Sequence, residues 1–356
     1  MLDIKMNLTT QKKQKPADDQ LTFGKMFTDH MFVMNYSPEQ GWHDARIVPY
    51  GDISLSPAAV VLHYAQEVFE GLKAYRSPVD GKIRLFRPEK NARRMIDSAE
   101  RLCIPPVPED IFLEAVEALV KVDRDWVPHK EGTSLYIRPF VFGDEGAVGA
   151  TPSSTYQFIV IVGPVGAYYA TGINPVKINV EETYVRAAPG LTGYTKCGGN
   201  YAASFIGQEK AHKLGFAQTL WLDGVHRKYV EEVGSMNIMF KMDGVIYTAP
   251  AEGTVLPGIT RMSCIELLRK WGYEVREEHV DIETIMQAGR DGKLEEVFGT
   301  GTAAVISPVG ELRYRDEDVV INNGEIGPLT HRLYDTLTGI QWGRLPDEMG
   351  WTRVVE

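Results

Sequence analysis

The stretch GYTKCGGNYAAS, residues 193–204, sets one lysine among glycines, beside Cys197 and five residues before Tyr201. Lysine ordinarily sits in water, yet the neighbours here offer little side-chain cover. Two readings follow for Lys196. It is an exposed loop lysine, or it is an amine whose pKa is lowered by exclusion from water, a neutral nucleophile able to form a Schiff base with a carbonyl. In the second reading the glycines let the backbone approach a flat cofactor. The stretch runs into a helix over about residues 200–214, closed by Gly215.

Working outward, VKINVEETYVRA (176–187) reads as a strand, and further strands are punctuated by the hairpin signals Asp223-Gly224 and Asp243-Gly244. Glu232, in YVEEVGSMN (229–237), shares a strand face with Val230; it is a surface glutamate or a partner for a ring nitrogen. GTVLPGITRMSCIELLRKWG (253–272) reads as a Pro-Gly turn opening a helix with Met262, Ile265, Leu268 and Trp271 on its apolar face. That helix start either is a plain one, with Thr260 in a capping role, or seats a phosphate on its unpartnered amides. GTGTAA (299–304) matches a dinucleotide fingerprint, but the β-branched continuation VISPVG reaches Pro308 within four residues, where that motif needs a long helix. What remains is a glycine-lined turn offering amides and the Thr302 hydroxyl to an anion.

On the N-terminal side, KIRLFR (82–87) alternates as a strand, PEKNARRMIDSAERL (88–102) is a helix opened by Pro88, and DIFLEAVEALVKVDRDWV (110–127) is a second amphipathic helix. SLYIRPFVFG (134–143) and YQFIVIVGPVG (156–166) are strands, the latter apolar enough to be central in a sheet. The Gly- and Pro-rich GPVGAYYATGINP (163–175) separates two dense blocks. The expected organisation is therefore a disordered tail over 1–20, a small domain over 21–166, an interdomain loop over 167–175 and a large domain over 176–356. Strands and helices cluster without βαβ alternation, which favours α+β.

Composition excludes several classes. With 356 residues, 44% hydrophobic and 24% charged, the chain is of ordinary globular make-up and long enough for two domains. A net charge of −10 with no basic run beyond Lys12, Lys13 and Lys15 lacks the footprint of a nucleic-acid binder. Three scattered cysteines form no CxxC pair, eight scattered histidines form no metal motif, and no apolar run approaches the roughly 18 residues of a membrane span. No Gly-Lys pair is followed by Ser or Thr, so a P-loop is excluded, and a cytoplasmic location fits best.

Taken together, FGKMFTDHM (23–31), VFEGLKAYR (68–76), LFRPEKNARRM (85–95), DWVP (125–128), SLYIRPF (134–140), GYTKCGGNY (193–201), EEVGSMN (231–237), LPGITR (256–261) and FGTGTAAVISPVG (298–310) resemble the branched-chain amino acid aminotransferases, pyridoxal 5'-phosphate enzymes of fold type IV. The resemblance implies a two-domain fold like that of D-amino acid aminotransferase, a small α/β domain followed by a larger pseudo-barrel domain. It implies ping-pong transfer of an amino group between L-leucine, L-isoleucine or L-valine and 2-oxoglutarate, and a homodimer in which the loop around 148–150 reaches the partner's active site.

Residue by residue, the resemblance makes Lys196 the Schiff-base lysine and general acid/base. Arg94 pairs the cofactor phosphate, joined by Ile259, Thr260 and Thr302, while Arg93 is a solvated neighbour. Tyr201 bonds the phenolic oxygen of the cofactor and Glu232 its ring nitrogen. Phe23, Tyr64, Phe69, Tyr136, Arg138, Ala303 and Ala304 line the substrate pocket, and no metal is implied. The redox cysteine pair of the mammalian members falls at Ala304 and Ser307, so that switch is missing. A D-amino acid aminotransferase or an aminodeoxychorismate lyase of the same fold is the nearest rival, and a non-catalytic anion- or nucleotide-binding module the remote one.

Overall fold

A computed structural model of the chain describes residues 2–166 and 173–356. The chain divides into two compact units, the first comprising Met1–Ala170, Thr195–Gly198 and Gly339–Glu356, the second Thr171–Tyr194 and Gly199–Thr338.

The first unit is built on β1 (Lys5–Met6), β2 (His30–Ser37), β3 (Gly41–Pro49), β4 (Glu67–Phe69), β5 (Leu72–Arg76), β6 (Ile83–Phe86), β7 (Ser134–Gly143) and β8 (Tyr156–Val165). With the C-terminal strand Thr352–Val355 they form one sheet in the order β1-β3-β2-β8-β7-β5-β6 and then the C-terminal strand, with β4 added on β7. The short helix α1 (Val60–Tyr64) precedes β4, while α2 (Pro88–Arg101) and α3 (Glu109–Val122) pack on one sheet face. Ala92, Met95 and Ala99 of α2 and Phe112, Val116 and Leu119 of α3 meet Leu72, Ala74, Leu135 and Ile137 in a common core. Because strand side chains alternate, the core positions Leu135 and Ile137 leave Tyr136 and Arg138 on the opposite face of β7. The same period puts Val68 in the core and Glu67 and Phe69 on the Tyr136 face.

The second unit contains β9 (Val176–Glu181), β10 (Gln218–Leu222), β11 (Val230–Val233), β12 (Met236–Met242), β13 (Val245–Thr248), β14 (Val275–Glu277), β15 (Leu294–Gly301), β16 (Val305–Tyr314) and β17 (Glu317–Val320). The pairing order β11-β10-β9-β16-β15-β12 returns on itself, because β11 also pairs β12, and so closes a ring of strands. A closed ring leaves these strands no unpaired edge. This ring is the expected pseudo-barrel, and helices α4 (Gly198–Lys213), α5 (Ile259–Lys270), α6 (Ile282–Arg290) and α7 (Pro328–Gln341) complete the element list.

Three local expectations are corrected. Of the tail expected to be disordered over 1–20, residues 2–20 run along the first sheet: β1 pairs β3, the Thr9 N–H donates to His30 Nε2 at 3.0 Å, and the Lys13 N–H donates to Asp29 Oδ1 at 2.8 Å. Its polar composition hid a segment whose backbone donors meet acceptors near the sheet. Asp223-Gly224 is not a tight hairpin, because β10 and β11 are joined by residues 223–229. Burial alone would raise the Asp223 carboxyl, but the N–H groups of Val225, His226, Lys228 and Tyr229 converge on it and hold it down at about 2. By contrast Asp243-Gly244 is a two-residue turn with both φ positive, 51° and 80°, as a type I′ hairpin requires. Finally, residues 195–198 and 339–356, expected in the large domain, count with the first unit, where the C-terminal strand pairs β6. Of the expected interdomain loop, residues 167–172 lie outside the described residues.

Candidate active site

In the first unit, Lys196 is held by its main chain. Its N–H donates to Ser98 Oγ of α2 at 3.0 Å and its C=O accepts from Phe69 N–H at 2.9 Å. The ammonium nitrogen stands 4.6 Å from the centre of the Phe69 ring, and the Arg138 guanidinium 4.7 Å from the same ring. Burial, and after it the positive charge of Arg94, lower the amine to about 8. An amine there is within reach of either protonation state at neutral pH. Lys196 is half-buried in the segment before α4, with its amine over an aromatic ring.

Arg94 is buried on α2 and locked by Glu70, with Nε donating to Oε1 at 2.7 Å and Nη2 to Oε2 at 2.8 Å. Glu70 also accepts from Asn91 Nδ2 at 2.7 Å, and Arg93 is exposed and paired instead with Asp97. A bidentate fork fixes the guanidinium plane, and two of its three nitrogens serve that fork. Glu70 was given no role from sequence; a glutamate between Phe69 and Gly71 in an otherwise apolar run is the signal, since carboxylates are buried only with partners.

Tyr136 and Arg138 lie side by side on β7, with Arg138 Nη2 donating to Tyr136 Oη at 2.9 Å. Phe23 meets Tyr136 edge to face at 5.0 Å. A Cβ at Gly71 would collide with the Tyr136 hydroxyl, which explains the glycine of EGLK. Arg138 Nε is buried with no hydrogen-bond partner among the described residues. A buried donor left over on a fixed guanidinium suits an arriving carboxylate. Tyr64 is not gathered into this cluster; it is 44% exposed and its hydroxyl donates to Val148 O at 2.6 Å. Lys73, to which the sequence reading gave no role, is opposite Tyr136 in the β5–β7 register and buried, which lowers its amine to about 7.

In the second unit, Glu232 sits on β11 across from Asn237 of β12, which in turn faces Thr300 of β15. Glu232 Oε1 accepts from the Leu256 N–H at 2.7 Å and from Asn237 Nδ2 at 3.3 Å, and Oε2 lies 3.3 Å from Arg186 Nε. Its neighbour Glu231 is pushed up by burial, with the Thr254 hydroxyl opposing. The arginine beside Glu232, Arg186, also donates to Gly193 O at 3.0 Å and was not found from sequence. Asn237 Nδ2 donates to Leu256 O at 2.9 Å, which ties Glu232 to the turn that opens α5.

Ile259 and Thr260 are buried in the first turn of α5, whose cap residue Gly258 has no side chain and whose first turn has no acidic residue. Amides so placed, with the helix dipole, favour an anion. Thr302, Ala303 and Ala304 make the turn between β15 and β16. There the β-branched Val305 is held at φ 64°, a costly left-handed conformation of the kind that clusters at functional sites. The Thr300 hydroxyl, buried in the row with Asn237 and Glu232, has no hydrogen-bond partner among the described residues. Tyr201 lies in the first turns of α4, half-buried. Cys197 is packed in the core of the first unit, and none of the three cysteines is in a disulfide.

Comparison with known proteins shows the family. The family described as amino-transferase class IV matches residues 67–312. The branched-chain-amino-acid aminotransferase 2 of Bacillus subtilis is 55% identical, the match covering 99% of this chain and 97% of that protein. The crystal structure of the Escherichia coli branched-chain amino acid aminotransferase superposes with a TM-score of 0.77 at 28% identity, covering 92% of this chain and 99% of that one. That of the T.th. branched-chain amino acid aminotransferase with pyridoxamine 5'-phosphate has a TM-score of 0.76 at 28% identity, covering 91% and 98%. The chain belongs to the class IV aminotransferases.

Proposed function

We propose that this enzyme transfers the amino group of L-leucine, L-isoleucine or L-valine reversibly to 2-oxoglutarate, with Lys196 as its catalytic amine. As a class IV aminotransferase it is a pyridoxal 5'-phosphate enzyme. The observation that carries the substrate reading is one cluster in the first unit: an amine at about 8 and an arginine with a buried donor to spare, both against the Phe69 ring. The names of the similar proteins, branched-chain amino acid aminotransferases, support the branched-chain part of this reading.

Each unit offers groups of the chemistry this cofactor would need. In the first unit Arg94, held by Glu70, would pair the phosphate; in the second, the first amides of α5 and the Thr302 hydroxyl are donors suited to a phosphate, Glu232, paired with Arg186, would hold the ring nitrogen and Tyr201 the phenolic oxygen. When bound, the cofactor supplies an aldehyde that accepts the amino group and a ring that draws electrons from the α-carbon. Lys196 Nζ takes the α-proton of the amino-acid substrate, and in the reverse half-reaction returns one to that carbon. Its lowered pKa leaves enough neutral amine at physiological pH for the first task and enough ammonium for the second.

The pocket must accept an aliphatic side chain and a glutamate side chain in turn. Burying the first contributes about 1.5 to 3 kcal/mol, while an unpaired carboxylate costs more than that. Phe23, Phe69 and Tyr136 would supply the apolar wall, and Arg138 the partner for the second carboxylate. Arg138→Ala is therefore expected to lower kcat/KM for 2-oxoglutarate by about 10- to 100-fold, the worth of a charged hydrogen bond, and for leucine by about threefold or less. Half-reaction kinetics with each substrate alone check this; equal losses would refute the assignment.

We further propose a cytoplasmic homodimer with no nucleic-acid or membrane partner. Three unbridged cysteines suit a reducing compartment. Val148, 67% exposed and tied to Tyr64, is an apolar loop tip that a second subunit would cover. Light scattering should then give a mass of twice 39.8 kDa, and a monomer would overturn it.

A further inference from the structure

We propose that Glu67 is a positioning residue for Lys196: its carboxylate anchors the first amide of α4 and thereby fixes the peptide that bears the amine. The inference rests on Lys196 being the catalytic amine.

Glu67 Oε1 accepts the Gly198 N–H across 131 positions of sequence. The opening amides of a helix have no partner inside it and are normally capped by a side chain just before the helix. Here the acceptor comes from β4 instead. The same strand donates the Phe69 N–H to the Lys196 carbonyl, while Ser98 of α2 takes the Lys196 N–H. Lys196 is thus pinned at its own two polar groups and again two residues on, and of these three clamps the last comes from an ionisable side chain, Glu67.

Gly198 fits this arrangement. A Cβ there would fall on the Glu67 carboxyl, so the absence of a side chain is what lets the carboxylate reach the amide. The carboxylate is retained although burial pushes it up; the Gly198 N–H, Arg138 and Lys196 act the other way. It is half-buried on the Phe69 face of β4. Misplacing a reacting group by about 1 Å costs on the order of 100-fold in rate, so a loosened Lys196 peptide would be felt in chemistry before binding.

The test compares Glu67→Ala, Glu67→Gln and Gly198→Ala with the wild type. Pyridoxal 5'-phosphate is added to the cofactor-free enzyme, and its covalent attachment is followed by visible absorbance and borohydride trapping. Glu67→Ala should slow attachment about 10- to 100-fold and lower kcat similarly, with KM for leucine little changed. Glu67→Gln, whose amide oxygen still accepts, should stay within about threefold. Gly198→Ala should mimic Glu67→Ala, although alanine is the better helix former. Deuterium exchange over residues 195–201, a readout free of cofactor, should rise in Glu67→Ala and Gly198→Ala and not in Glu67→Gln. Unchanged exchange and attachment in Glu67→Ala would overturn the proposal, as would a Glu67→Gln variant as impaired as Glu67→Ala. A wild type that attaches no cofactor at Lys196 while the exchange pattern holds would instead refute the assignment of the amine and leave the clamp intact.

Discussion

Lys196→Ala should lower kcat by about 10⁴-fold or more, the upper range for a group that serves as both acid and base, while leaving the protein folded. The second half of this expectation comes from the direction of the pKa. Lys196 is lowered from 10.5 to about 8, chiefly by burial and next by Arg94. Between those two values the unfolded chain still binds a proton that the folded chain has released. Stability of the cofactor-free enzyme therefore rises with pH through that window, and below about pH 8 folding carries the cost of an enclosed ammonium, at most about 3 kcal/mol. Removing the amine removes this cost. Urea titrations at pH 7 and pH 10 should show a smaller gain with pH in Lys196→Ala than in the wild type, together with loss of turnover; a variant that keeps turnover would refute the role assigned to Lys196.

Glu70→Ala should destabilise the first unit by about 3 to 5 kcal/mol, because it strands the buried Arg94 guanidinium with neither oxygen of its fork. Asn91 Nδ2 and the Gly71 N–H lose an acceptor in the same step. The effect should extend to the cofactor, since an arginine no longer held in one plane is a poorer phosphate partner. Denaturant melts and the dissociation rate of pyridoxal 5'-phosphate measure the two consequences. Loss of stability with unchanged cofactor retention would mean that Arg94 does not bear on the phosphate.

Much of this arrangement can be read from local sequence. Pro88 and the spacing of Met95 and Ala99 mark α2, the Asp243-Gly244 pair marks its hairpin, and the alternation in SLYIRPFVFG already separates Tyr136 and Arg138 from Leu135 and Ile137. These signals depend on neighbours within a few positions. Closure of the six-stranded ring does not, because β9 and β16 pair in parallel across more than a hundred residues. Nor does the Glu70–Arg94 fork or the Arg186–Glu232 pair, which only the fold brings together. The ordered N-terminal tail was missed for a related reason: its partners, His30 and Asp29, lie on β2 and just before it, and nothing in the tail's polar composition points to them. Lys196 itself was ambiguous in isolation, and it was the set of residues expected to hold a phosphate and a ring nitrogen that favoured the buried reading.

Lys196 and Lys73 are both lysines whose amines burial lowers, to about 8 and about 7, and only one of them can be the catalytic group. Borohydride reduction of the pyridoxal 5'-phosphate enzyme, followed by mass spectrometry of its peptides, decides between them. The label should appear on Lys196 within the peptide spanning 193–204, and prior incubation with L-leucine should abolish it by carrying the enzyme into its aminated form. A label on Lys73, or a label that leucine leaves untouched, would contradict the account.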